Sequence, residues 1–143
     1  MTAKHELIEK FKELHFDAGH YLKHLAPCDK LHGHTYVLKD LELSGTLQGD
    51  VIVDFNSIKS LMKEYDHSLM IPLADESYWN RLISVGPTPF KSDKIVPIQD
   101  EPTVERIGLS IGQKILDAYG NVHKVSFTIF EGVNQGVKVE LSK

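Results

Sequence analysis

The sequence predicts an α+β fold, with strand pairs at both ends of the chain and two helices between them. Three observations carry that reading. Alternation of apolar and polar residues over 10–22 and 32–45 has the two-residue period of strands. Two later segments switch to helical spacing. Two β-rich runs, "HKVSFTIFEG" and "GVKVEL", close the chain around "VNQG", whose composition reads as a hairpin turn.

The first strand, "KFKELHFDAGHYL", places Lys12, Leu14, Phe16, Ala18 and His20 on one face. The second, "HGHTYVLKDLELSG", aligns His32, His34, Tyr36 and Leu38, and the turn residues of Gly45 and "QGD" end it. Asp54 is placed to cap a first helix whose Phe55, Ile58, Leu61, Met62 and Tyr65 share a stripe. Thr103 and Glu105, after Pro102, open a second helix over 103–118 with Val104, Ile107, Ile111 and Ile115 facing inward. Between the helices, 71–101 reads as an irregular insert with four prolines and the only tryptophan. A loop of that length is usually functional or packed on a partner. The expected sheet is small, with edges that need partners, which points to association with further subunits.

A chain of 143 residues supports one domain with a real core, so a single domain over 1–143 is expected. Apolar content of 41%, charged content of 25% and a formal net charge of −4 fit a soluble protein and argue against nucleic-acid binding through a basic face. One cysteine makes no intramolecular disulfide. The charged segment "MTAKHELIEKFKEL" lacks the apolar stretch of a signal peptide, and no apolar run approaches the ~20 residues of a membrane span. A cytoplasmic protein without membrane partners is therefore expected.

His32 and His34, two apart on an extended segment, point to one side about 7 Å apart at the backbone. An antiparallel return through the short connection 21–31 brings His20 beside His32. Three imidazoles with one open position form a typical catalytic zinc set, whereas structural zinc normally takes four protein ligands. The spacing alone fits surface strand histidines equally well. His24 competes with the set through its i, i+4 relation to His20, but the segment runs into Pro27 and has no helical stripe.

Cys28 is open to two readings, a small buried hydrophobe or a loop thiol with a lowered pKa near basic groups. Asp66 and His67 follow the first helix as an acid–imidazole pair, or as a helix C-terminal histidine meeting the dipole. Glu131 ends an apolar strand, where it either faces water or accepts two N–H donors from a heterocycle.

The ordered set "FDAGH", "CDKLHGHTY", "GDVIVDF", "DHSLM", "PTVERI" and "FEG" resembles the 6-pyruvoyl-tetrahydropterin synthase and 6-carboxytetrahydropterin synthase family over about residues 11–141. The resemblance implies the tunnel fold: a four-stranded antiparallel sheet with two helices on one face, assembled into an oligomeric barrel. That barrel is a hexamer made of two trimers, with active sites between subunits. It implies Zn2+ bound by His20, His32 and His34, with Cys28 as catalytic base or nucleophile and Asp66 and His67 as proton-relay partners. Glu131, Thr103 and Glu105 would contact the pterin, although Thr103 is also placed to cap its helix. The implied substrate is 7,8-dihydroneopterin triphosphate.

The four-residue step from Cys28 to His32 looks like the 6-carboxytetrahydropterin synthase branch of queuosine and archaeosine synthesis. Members carrying a glutamate just before the HGH have a different side-chain cleavage activity, and Asp29, Lys30 and Leu31 occupy that interval here. The alternatives are the 6-pyruvoyl activity and a non-catalytic pterin-binding module. The chain departs from the family in lacking the asparagine of D-H-x-x-L-N, in having "FEG" for the usual E-T, and in its longer insert. Lys23 and Lys30 are candidates for the triphosphate by proximity.

Overall fold

The computed structural model describes residues 3–25, 28–86 and 94–143. Its elements are β1 (Leu7–His20), β2 (His32–Gly45), α1 (Phe55–Tyr65), β3 (Ser68–Pro72), α2 (Glu76–Val85), β4 (Ile95–Ile98), α3 (Val104–Ala118), β5 (Val122–Glu131) and β6 (Gln135–Ser142). They form one mixed sheet in the order β4-β3-β1-β2-β5-β6.

The four expected strands are β1, β2, β5 and β6, each antiparallel to its neighbour. The sheet nonetheless has six strands, because β3 and β4 extend it parallel to β1. All five residues of β3 are buried. Met70 faces the main core, whereas Leu69 and Ile71 join a second cluster with Ile95, Tyr21, Trp79 and Ile83. A strand covered on both faces is a continuous apolar run without alternation, so period-based reading misses it. Residues 71–101 are accordingly less irregular than expected: among the described residues they hold the end of β3, a 3-10 turn at Leu73–Asp75, α2 and β4. Residues 87–93 of that stretch lie outside the described residues.

β1 and β2 run in register from Leu7↔Gly45 to His20↔His32. Their buried face changes phase along β2, from Tyr36 and Leu38 to Leu41 and Leu43. The cause is a bulge against β5 between Lys39 and Glu42, at Asp40 with φ 53°. α1 and α3 cover the sheet's main core, which Phe16, Tyr36, Ile58, Tyr65, Ile107, Ile111 and Phe127 fill. Asp54 caps α1 by accepting from the Asn56 N–H. Of the expected α1 stripe, Phe55 is 59% exposed and packs edge-on against Phe11 instead. On α3, Gly108 and Gly112 are buried against β5 and β6, where the missing Cβ atoms permit close approach. The β5–β6 turn falls at Gly132 (φ 74°), Val133 and Asn134, slightly earlier than "VNQG". No helix among the described residues is long and apolar enough to cross a membrane.

Candidate metal centre and active site

The β1–β2 register sets His20 directly across from His32, and Ala18 across from His34. One ligand atom from each of His20, His32 and His34 lies within 4.8 Å of the other two. His20 is 1% exposed, and its ring stands edge-on to both other imidazoles.

The far side of two rings fixes what the near side offers. His20 Nδ1 lies 2.8 Å from the Pro102 carbonyl oxygen, and His32 Nδ1 lies 2.6 Å from the Lys30 carbonyl oxygen. A carbonyl only accepts, so each neutral ring carries its proton on Nδ1 and presents an unprotonated Nε2. Those two Nε2 atoms face each other at 3.0 Å. His34 Nε2 is buried without a hydrogen-bond partner; Glu131 Oε1 is 3.1 Å away but out of line for a hydrogen bond. With both rings neutral, two opposed lone pairs and one orphaned buried nitrogen, which alone costs about 1–3 kcal/mol, form an unfavourable arrangement unless a proton or a metal ion lies between them. The donor set therefore fits a metal ion, with the carbonyls of Pro102 and Lys30 orienting its ligands.

Burial lowers the pKa of His20, against the Pro102 carbonyl and Glu131, which favour its charged form; His32 and His34 lower it further. The ring that stays neutral is the ring a metal requires. Tyr36 Oη approaches His20 Nδ1 at 3.2 Å, and burial first, then Glu131, pushes its phenol upward.

A pocket of about 570 Å³ is lined by Asp17, Leu31, His32, His34, Thr35 and His67, among others. Asp66 and His67 pair with each other, His67 Nδ1 to Asp66 Oδ2 at 3.0 Å. β1 holds both at Asp17, whose N–H donates to Asp66 Oδ1 and whose carbonyl accepts from the His67 N–H. His67 has φ 58° and a side chain 77% exposed, so its imidazole is free to meet a ligand. The hydrogen bond from Asp17 N–H holds Asp66 below the ordinary carboxylate range, opposed by burial and helped by His67.

The other sequence candidates fall at differing places. Glu131, opposite Tyr36 in the β2–β5 register, adjoins the histidine cluster through His34. Cys28 is half-buried in the connection after β1, and its carbonyl accepts from the Leu22 N–H. It is not among the residues around the pocket. Thr103 caps α3 through the Arg106 N–H, and Glu105 is exposed in the first turn. Lys23, a candidate for the triphosphate, holds Asp75 with its ammonium. Sequence reading missed Asp17, and it missed the carbonyls of Lys30 and Pro102. Carbonyls carry no residue-type signal, but Asp17 had one in its cross-strand partner Thr35, whose hydroxyl donates to its carboxylate.

The family described as 6-pyruvoyl tetrahydropterin synthase matches residues 9–141 of the chain. A 6-carboxy-5,6,7,8-tetrahydropterin synthase of Rickettsia bellii is 30% identical over 143 residues, covering 93% of this chain and 100% of the relative. The enzyme of that name from Aquifex aeolicus is 32% identical over 117 residues, covering 67% of this chain and 71% of its own. Among solved structures, the 6-pyruvoyl tetrahydropterin synthase of Plasmodium vivax superposes with a TM-score of 0.61 at 22% identity, covering 97% of this chain and 98% of the other. That likeness establishes the tunnel fold. With a histidine cluster fit for a metal, and a family match running from β1 into β6, the chain belongs to the 6-pyruvoyl tetrahydropterin synthase family and is a lyase of the 6-carboxytetrahydropterin synthase-like kind.

Proposed function

We propose that this chain is a zinc-dependent lyase converting 7,8-dihydroneopterin triphosphate, with water, to 6-carboxy-5,6,7,8-tetrahydropterin, acetaldehyde and triphosphate. The observation that carries the reading is the convergence of His20, His32 and His34 nitrogens, with the His20 and His32 rings oriented by carbonyls behind them. The names of its relatives and the step from Cys28 to His32 favour the carboxy product.

His20, His32 and His34 would hold the metal. Zinc there supplies Lewis acidity toward the oxygens of the substrate side chain, lowering the cost of removing a carbon-bound proton. Cys28 takes that proton as the catalytic base, which requires its sulfur to reach the pocket. His67, oriented through Nδ1 by Asp66, keeps Nε2 available to accept or return a proton. Glu131 accepts N–H donors of the pterin ring and fixes the reacting carbons relative to thiol and metal. Thr103 and Glu105 adjoin the ring through the P-T-x-E element. We infer further that the chain acts in the cytoplasm as a homo-oligomer, a hexamer of two trimers, joined through the open edges of β4 and β6.

Mass analysis of the reaction with dihydroneopterin triphosphate tests the reading. Acetaldehyde with a 6-carboxy pterin supports it. A 6-pyruvoyl or 6-hydroxymethyl product assigns another cleavage, and binding without turnover makes the chain a pterin-binding module.

A further inference from the structure

Helix α2 lies in the stretch that the pterin chemistry leaves without a role. It docks through Trp79 and Ile83 onto Leu69, Ile71 and Ile95, with Tyr21 in the same cluster. From that seat Trp79 Nε1–H donates to Tyr21 Oη at 2.8 Å, and Tyr21 O–H donates to Asp75 Oδ2 at 2.7 Å. The Lys23 ammonium pairs with the other oxygen of Asp75. The phenol thus acts as acceptor and donor at once, in a chain running Trp79, Tyr21, Asp75, Lys23.

Two of these four residues sit just beyond His20, where β1 ends. Leu22, between them, is buried and its N–H donates to the Cys28 carbonyl at 2.8 Å. The Lys23 N–H donates to Glu101 Oε1 at 2.7 Å, one residue before Pro102, whose carbonyl orients His20. Residues 20–23 are therefore pinned from both sides, by α2 and by the approach to α3. Tyr21, Leu31, Asp75, Tyr78 and Trp79 also border a concavity of about 490 Å³, and Leu31 lines the histidine pocket as well. The helix borders a concavity that meets the histidine pocket at Leu31.

We propose that the Trp79–Tyr21–Asp75–Lys23 chain, tied to α2 through Trp79, positions His20 for its metal. Tyr21 and Trp79 are positioning residues: neither touches the metal, and both act through the backbone that carries His20. The proposal rests on the reading of the three histidines as a metal site.

The test follows zinc leaving the full-length holoprotein for a chromogenic chelator. Tyr21→Phe keeps the ring and deletes both hydrogen bonds, while Trp79→Phe deletes the indole N–H together with part of the ring; each is expected to release zinc about tenfold faster, the lower range for losing a group that orients a ligand. Val125→Ala, a core truncation paired with Leu43 at the far end of β2, is the control for lost stability. It is expected to lower the unfolding midpoint while releasing zinc at the wild-type rate. Wild-type release from both ring variants overturns the proposal, and so does equal acceleration in Val125→Ala, which assigns the effect to general loosening. Wild-type protein that contains no zinc and takes none up overturns the metal reading, and this proposal with it; the wild-type measurement alone tells that failure apart.

Discussion

At the scale of single residues, the site is built by atoms that a sequence does not display. His32 and His34 were legible from their spacing, and the β1–β2 register put His20 where an antiparallel return requires. What orients the His20 and His32 nitrogens as ligands is the pair of carbonyls behind those two rings, and carbonyls belong to every residue. Cys28 stands apart from the ligand set, so Cys28→Ala is expected to retain its metal by elemental analysis while losing at least 100-fold in kcat, the lower range for removing an acid–base group. Loss of zinc in that variant would make the thiol a ligand instead. Asp66 yields a prediction on pH. Its carboxyl sits below the ordinary range, chiefly through the Asp17 N–H, so the folded state binds its proton less readily than the unfolded chain does. The stability it contributes is present above about pH 4, the unfolded value, and is lost as pH falls through the lower folded value. Asp66→Asn should flatten that part of the urea-midpoint profile while leaving the profile above pH 5 parallel to wild type.

At the scale of elements, legibility followed periodicity. α1, α3 and the two hairpins declare themselves by spacing and by Asp54 and Thr103 as caps, and each is present. β3 and β4 escaped because "SLMIP" and "IVPI" are short apolar runs without a period, and α2 because it packs its half-buried Trp79 and Ile83 on a satellite cluster rather than on the main core. α3 supports two predictions. Thr103→Ala removes the acceptor for the Arg106 N–H and should cost about 1 kcal/mol in denaturant unfolding. Because Pro102 is its neighbour, the same change should also weaken metal retention, which distinguishes it from an ordinary lost cap. Gly108 and Gly112 separate by what an added Cβ would meet. At Gly112 the nearest atom is Leu141 Cδ1 at 2.6 Å, the far end of a flexible side chain. At Gly108 it is Val139 Cγ2 at 2.7 Å, with Ile129 Cγ2 at 3.1 Å, both on β-branched residues with stiff χ1. Alanine gains about 1 kcal/mol over glycine in a helix interior, and overpacking costs about 1–3 kcal/mol. Gly112→Ala should therefore be neutral or slightly stabilising, and Gly108→Ala destabilising by about 1–2 kcal/mol, as read from urea midpoints.

At the scale of the whole molecule, the histidine cluster is a junction as well as a site. Its ligands come from the facing ends of β1 and β2, the hairpin at the centre of the six-stranded sheet. Its orienting carbonyls come from the entry to β2 and from the residue before Thr103, which caps α3. A bound metal would thus tie the β1–β2 hairpin to α3 through His20, whose ring is oriented by the Pro102 carbonyl. An ion that binds only the folded state stabilises it by about 4 kcal/mol at 1,000 times its Kd. For a chain of this length that corresponds to a rise in thermal midpoint of about 10 °C. Zinc added to metal-stripped protein should produce a rise of that order, EDTA should reverse it, and His34→Ala should abolish it. In that variant the metal-free midpoint should fall only by the packing lost with the ring, because its Nε2 has no hydrogen-bond partner to lose. A large metal-free loss in His34→Ala would mean that the ring is retained for packing, and the case for a metal would then rest on His20 and His32 alone.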